Sequence, residues 1–176
     1  MKYLIILLLL TMAAFLPAGG SKEETQEDLN SSPISQDRDF AVIQGYNLST
    51  GDPVGPSMLQ GNDVTLINIW ATTCPACIRK LPELARLETL LPDKVGMLGI
   101  TLDGASRRED ALTMLSDQGT SFLNMAPHEA MSSLLYRVAP YIPATVLVDS
   151  SGNILSGPSY GLKPAEEYLE DINSFL

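Results

Sequence analysis

Val64-Thr65-Leu66-Ile67-Asn68-Ile69-Trp70, followed by Ala71-Thr72-Thr73-Cys74-Pro75-Ala76-Cys77, is the stretch on which the reading of this chain turns. Its first seven residues are β-branched or apolar almost without a break, as in a strand covered on both faces. A helix is expected over residues 75–91, because Pro75 suits a first helical turn. Pro82 inside it removes a backbone donor and should kink it. Cys74 and Cys77 therefore follow a buried strand and open a helix. The first N–H groups of a helix point at its start and carry partial positive charge. A thiolate at Cys74 is stabilised there, which increases its reactive fraction at neutral pH. The three-residue spacing lets the two sulfurs meet, and Cys77, one turn deeper, should be more buried and act second.

Working outward, residues 41–43 and the stretch around Val54 flank Ser49-Thr50-Gly51-Asp52, a turn between two short strands. Residues 95–102 form the next buried strand, and residues 107–118 a helix ending near Gly119. A short strand over residues 122–125, a helix over 129–137 with Pro127-His128 at its start, and a strand over 145–149 follow. Ser151-Gly152-Asn153 turns the chain into Ile154-Leu155, and a helix over residues 164–176 closes it. Alternating strands and helices, then a terminal hairpin and helix, predict an α/β domain with a three-layer α/β/α arrangement.

The totals narrow the function. The chain has 176 residues, 45% of them hydrophobic, enough for a single domain with its own core. With 21 Asp+Glu against 11 Lys+Arg, the net charge is −10, which argues against nucleic acid and against an anionic membrane surface. Two cysteines are too few for a disulfide framework, and a zinc ribbon lacks its second pair of ligands. At the N-terminus, Lys2 precedes an apolar run to Leu16, and Pro17-Ala18-Gly19-Gly20 supplies small residues before a cut. Residues 1–20 are thus expected to be an export signal, cleaved or kept as an anchor. No cysteine follows that could carry a lipid. Residues 21–39 are polar and acidic and are expected to be a disordered tether, leaving residues 40–176 as the folded domain. Asn30-Ser31-Ser32 and Asn47-Leu48-Ser49 match the glycosylation sequon, which matters only in a eukaryotic secretory pathway.

The stretch Trp70-Ala71-Thr72-Thr73-Cys74-Pro75-Ala76-Cys77 with Leu81-Pro82-Glu83-Leu84 resembles the TlpA/ResA-like thiol–disulfide oxidoreductases of the thioredoxin superfamily. Ile142-Pro143-Ala144-Thr145 is similar to that family's cis-proline segment, and residues 147–154 to its following strand and hairpin. The resemblance covers residues 40–176. It implies a thioredoxin-like sandwich with a mixed central sheet and an N-terminal β-hairpin extension, acting as an extracytoplasmic, more reductive thiol–disulfide oxidoreductase. It further implies that Pro143 is cis against the Cys74 sulfur and that the Ile142 backbone pairs with an incoming substrate strand. Trp70, Thr73, Pro75, Ala76, Lys80, Ile142 and Pro143 are then the residues shaping the site around Cys74 and Cys77. The implied partners are protein thiols and disulfides, such as apocytochromes or oxidised methionine-repair enzymes, with a membrane electron donor; the chain is expected to be monomeric, without metal or organic cofactor.

Three departures from the family pattern stand out. Thr73 replaces a frequent second tryptophan, Asn68 replaces the aspartate that thioredoxin buries beneath its pair, and Lys80 stands where many relatives carry a glutamate. A carboxylate there would raise the thiol pKa values and accept the Cys77 proton. Lys80 is expected either to favour the thiolate and make the pair more oxidising, or to point into solvent with Arg79 and Arg86. Two competing functions use the same residues differently. A Cu(I)-binding module would recruit His128 as a third ligand, although CxxC departs from the CxxxC of copper chaperones built on a similar fold. A redox-inert, client-binding domain would keep its function without either cysteine. A peroxidase reading fails because Ala71 stands where peroxiredoxins need a threonine.

Overall fold

The computed structural model describes residues 39–176; the expected export segment and nearly all of the expected tether lie outside them. Among the described residues seven strands form one sheet in the order β2-β1-β5-β4-β3-β6-β7. The central strand β3 (Val64–Trp70) is buried along its whole length, as its unbroken apolar run requires. It pairs parallel with β4 (Val95–Thr101) and antiparallel with β6 (Ala144–Val148), so the sheet is mixed. β5 (Leu123–Pro127) continues the parallel half, and β7 (Ile154–Tyr160) closes the antiparallel edge. The short hairpin β1 (Gly45–Asn47) and β2 (Pro53–Val54) adds to β5 around the predicted turn, with Gly51 in the left-handed region.

Residues 41–43 are not the first arm of this hairpin. Asp39–Val42 form a 3-10 turn instead, and Ile43 is buried in the core beside Phe40. The Phe40 N–H donates to the Gly152 carbonyl at 3.1 Å, which ties the start of the domain to the β6–β7 turn.

Alternation along β3 sorts the core into two layers. Ile67 and Ile69 face one side with Leu98, Ile100, Val146 and the helix α3 (Ser132–Val138). Leu66 and Trp70 face the other, under α1 (Pro75–Glu88), α2 (Arg108–Asp117) and α4 (Ala165–Asn173). This is the expected α/β/α sandwich. Pro82 lies inside α1, on its exposed side, where the missing donor faces away from the core. The helix ends at Glu88, three residues before the predicted limit. Among the described residues no helix is long and apolar enough to cross a membrane.

Candidate active site

Cys74 is the N-cap of α1, in extended backbone with φ −104° and ψ 101°, and its Sγ accepts the Cys77 N–H at 3.2 Å. A sulfur therefore occupies the place of a capping oxygen, and the helix start directs a donor at it. Cys74 and Cys77 are joined by a disulfide, with Cα atoms 5.2 Å apart. The two sulfurs differ in access: Cys74 is half-buried, whereas Cys77 is 1% exposed. Pro75 and Thr73 are exposed and Ala76 half-buried, so the rim of the pair is small and open.

The loop that carries Cys74 is braced from the turn after β4. Asp103 accepts the Thr72 backbone N–H at 3.0 Å and the Thr72 hydroxyl at 2.6 Å. Burial alone would raise the Asp103 carboxyl, but the hydrogen bonds from Thr72, together with backbone N–H groups including that of Thr73, outweigh it and hold the group below its usual range. Trp70 contributes from beneath: it is fully buried, and its indole N–H donates to Asn124 Oδ1 at 3.1 Å. Its part is thus to support the loop from the core, not to touch a partner.

The Ile142–Pro143 bond is cis, and the Ile142 carbonyl oxygen lies 4.0 Å from Cys74 Sγ. Residues 68 positions apart in sequence thus meet at one sulfur. Beside Ile142 opens a groove of about 300 Å³, lined by Leu102, Leu135, Tyr136, Ala139 and Pro140 among others. Tyr136, which lines the groove, and Tyr141, next to Ile142 in sequence, are largely exposed at 77% and 72%.

Lys80 does not join a solvated basic strip. Arg79 and Arg86 are exposed, and Arg86 pairs with Glu166, but Lys80 is fully buried. Helical geometry explains this, since Lys80 lies three residues after Cys77 and four before Leu84, on the stripe that faces the sheet. Its Nζ donates to Thr145 Oγ1 and sits 5.3 Å from the centre of the Tyr168 ring. Burial, with a smaller contribution from the nearby charge of Lys163, lowers its pKa from 10.5 to about 7. Asn68 stands opposite Thr145 in the β3–β6 register and is 1% exposed; neither its Oδ1 nor its Nδ2 has a hydrogen-bond partner among the described residues.

His128 caps the short 3-10 turn Glu129–Met131, its Nδ1 accepting the Ala130 N–H at 3.2 Å. Among the described residues, no three His, Cys, Asp or Glu side chains are grouped to hold a metal ion. The copper reading had required His128 to join the two cysteines, and the fold does not group them.

No protein-family model matches the chain. It is 35% identical over 127 residues to the thiol:disulfide interchange protein DsbE homolog of Paracoccus denitrificans, a match covering 68% of this chain and 65% of that protein. The chain belongs to the TlpA/ResA/DsbE-like family of the thioredoxin superfamily. A second member, the thiol:disulfide interchange protein HelX of Rhodobacter capsulatus, is 25% identical over 156 residues, covering 88% of this chain and 85% of its own. The fold has its counterpart in a secreted disulfide oxidoreductase of Mycobacterium tuberculosis described as homologous to E. coli DsbE. That structure has a TM-score of 0.60 and 20% identity, with 76% of this chain and 96% of that one covered. With its CxxC disulfide in place, this family member is a thiol–disulfide oxidoreductase.

Sequence reasoning missed the two groups that surround the pair. Asp103 carried no local sign of its role, because its partner Thr72 is 31 residues away. The pocket of Thr145, Tyr168 and Lys163 around Lys80 was equally hidden, although the position of Lys80 on the apolar stripe of α1 was visible.

Proposed function

We propose that the chain works outside the cytoplasm as a reductant of disulfides in other proteins, with Cys74 attacking and Cys77 resolving. The observation that carries the roles of the two cysteines is their asymmetry: Cys74 reaches the surface at a helix start, while Cys77 is sealed one turn below; the direction and the location rest on the likeness to DsbE-type and HelX proteins. In the reduced protein the Cys74 thiolate attacks one sulfur of a substrate disulfide, and the other leaves as a thiolate that takes up a proton. Cys77 then loses its proton and attacks Cys74 Sγ. The second substrate thiol departs, and two electrons have passed from the pair to the substrate. The Ile142 carbonyl offers an acceptor to an extended substrate backbone, and the groove beside it receives an apolar side chain flanking the substrate cysteine. A membrane dithiol donor then reduces the Cys74–Cys77 disulfide again. Residues 1–20 serve as the export signal or anchor and residues 21–39 as the tether.

The direction is tested by equilibrating the Cys74–Cys77 couple against glutathione or dithiothreitol. A potential near or below about −250 mV fits a reductant, whereas one between about −180 and −120 mV refutes that direction and marks an oxidant or isomerase. A Cys77→Ser variant, expressed with its own N-terminal segment, should accumulate mixed disulfides through Cys74 in the extracytoplasmic fraction. Mixed disulfides confined to the cytoplasm would overturn the location.

A further inference from the structure

We propose that Lys80 is a redox-linked proton site, losing its proton when the Cys74–Cys77 disulfide closes and gaining one when the pair is reduced. This inference rests on the thiol–disulfide reading and names a residue that acts on the cysteines through their charge.

Lys80 is fully buried on the same helix face as Cys77, one turn further in, where side chains three apart sit roughly 5–6 Å from each other at Cβ. Among the described residues it is paired with no carboxylate that would fix its charge. From β6 it meets the Thr145 hydroxyl, which is also hydrogen-bonded to the Tyr168 phenol. From α4 it meets the Tyr168 ring, whose hydroxyl is itself pushed above its usual value by burial. Lys163 lies on the same ring at 5.8 Å and is paired with Asp171 at 2.7 Å. Asp171 and Glu167 reach this pocket through their effect on Tyr168, and Glu83, on α1 itself, turns away to accept the Ala165 N–H at 2.9 Å. From β3 the facing side chain is Asn68, which carries no charge. Cys74 and Cys77 are thus the groups near Lys80 whose charge changes with redox state.

The pocket holds Lys80 close to the point of titration near neutral pH. The disulfide has no charge, so in the oxidised protein little compensates for a buried ammonium. Once the pair is reduced, the start of α1 and the Cys77 N–H directed at Cys74 Sγ favour a thiolate there, and in a low-dielectric interior a charge a few ångströms away is felt strongly. The disulfide and the neutral Lys80 amine take up two electrons and two protons, giving a Cys74 thiolate, a Cys77 thiol and a Lys80 ammonium. The reductant, a dithiol, supplies both electrons and both protons as it closes its own disulfide. On oxidation by substrate, the ammonium favours the Cys77 thiolate as it attacks and gives up its own proton once the negative charge has gone.

One extra proton per two electrons is a tenfold change per pH unit in the equilibrium constant for reduction, or about 30 mV per unit. It operates above about pH 7 and below the midpoint of Lys80 in the reduced protein. The test is to titrate Lys80 by NMR at its ε-carbon in the intact oxidised and reduced protein, and to measure the potential against pH for the wild type, Lys80→Met and Lys80→Arg. The expected midpoint of Lys80 rises on reduction by at least a factor of ten in proton concentration. The added slope is present in the wild type and absent in both variants, while Lys80→Arg, permanently charged, favours the reduced form at every pH. A Lys80 midpoint that is the same in both redox states overturns the proposal, as do parallel slopes in the wild type and Lys80→Met. The NMR arm needs no variant, so a misfolded Lys80→Met leaves the test intact. If dithiothreitol fails to reduce the pair at all, the thiol–disulfide reading falls and this one with it. If the pair exchanges normally and Lys80 does not respond, only this inference is lost.

Discussion

Replacing Lys80 with methionine in the oxidised protein should remove a large pH dependence of stability. The lysine is lowered from 10.5 to about 7, chiefly by burial. A basic group depressed in this way binds fewer protons folded than unfolded between those two values. Its full stability is therefore present above the unfolded value and is lost as pH falls toward the folded one. The whole difference corresponds to roughly 5 kcal/mol at about 1.4 kcal/mol per pH unit, an upper bound for a group that can draw in solvent. Between about pH 7 and about pH 9.5 the expected recovery is about 3 kcal/mol. Stopping there avoids the ionisation of Tyr168, which lies higher still. The assay is urea unfolding of the disulfide-closed wild type and Lys80→Met at both pH values, taking the difference between proteins at each. The wild type should gain about 3 kcal/mol relative to the variant across this interval, because methionine fills a similar volume without a charge. Equal differences at the two pH values would mean that Lys80 is solvated in solution, and the burial argument would fail.

Two further changes probe the frame of the site. Asp103→Asn should cost about 1 kcal/mol near neutral pH, after discounting for its partly solvent-facing position, and speed local exchange of the Thr72 amide. Because the Asp103 carboxyl is held below its usual range, that cost should shrink as pH falls through its folded value; a difference constant down to acid pH would contradict the bracing role. Gly99→Ala places a Cβ 1.7 Å from Asn124 Oδ1, so Asn124 must leave Trp70. We expect a loss of about 1–3 kcal/mol and a change in the emission of this sole tryptophan, and unchanged fluorescence would refute the coupling.

What was legible in the sequence follows the reach of each interaction. β3 was read at its observed limits because seven successive buried residues need no distant partner to be recognised. The cysteine pair was legible for the same reason, its strand, cap and helix all lying within residues 64–88. Residues 41–43 were misread because short apolar runs fit either a strand or a turn, and their 3-10 conformation depends on the Gly152 carbonyl far along the chain. The solvent reading of Lys80 came from weighing its charge above its phase on the helix. Periodicity placed it among Cys77, Leu81 and Leu84, and that was the stronger signal.

The distribution of buried polarity ties these elements together. On the sheet face under α3, Ile67, Ile69, Leu98, Ile100, Val146 and Val148 are apolar, and the buried hydroxyl among them, that of Thr65, accepts from Asn62 Nδ2 at 3.3 Å. On the face under α1, Asn68, Thr101, Asn124 and Thr145 interrupt the strands, and Lys80 descends onto them from the helix. Unpartnered buried amide and hydroxyl groups each cost on the order of 1–3 kcal/mol, and Asn68 and Thr101 both carry such atoms among the described residues. A core built for stability alone would place branched hydrocarbons there, as the opposite face does at the positions named, though not at Thr65. The polar residues lie on the layer that receives the deeper cysteine, where in the proposed cycle a sulfur gains and loses negative charge. Polar groups around a buried sulfur reduce the cost of that charge, and a fixed ion would hold the pair in one redox state. A lysine whose own charge is close to balance, hydrogen-bonded to a threonine and facing a neutral asparagine, leaves both states accessible.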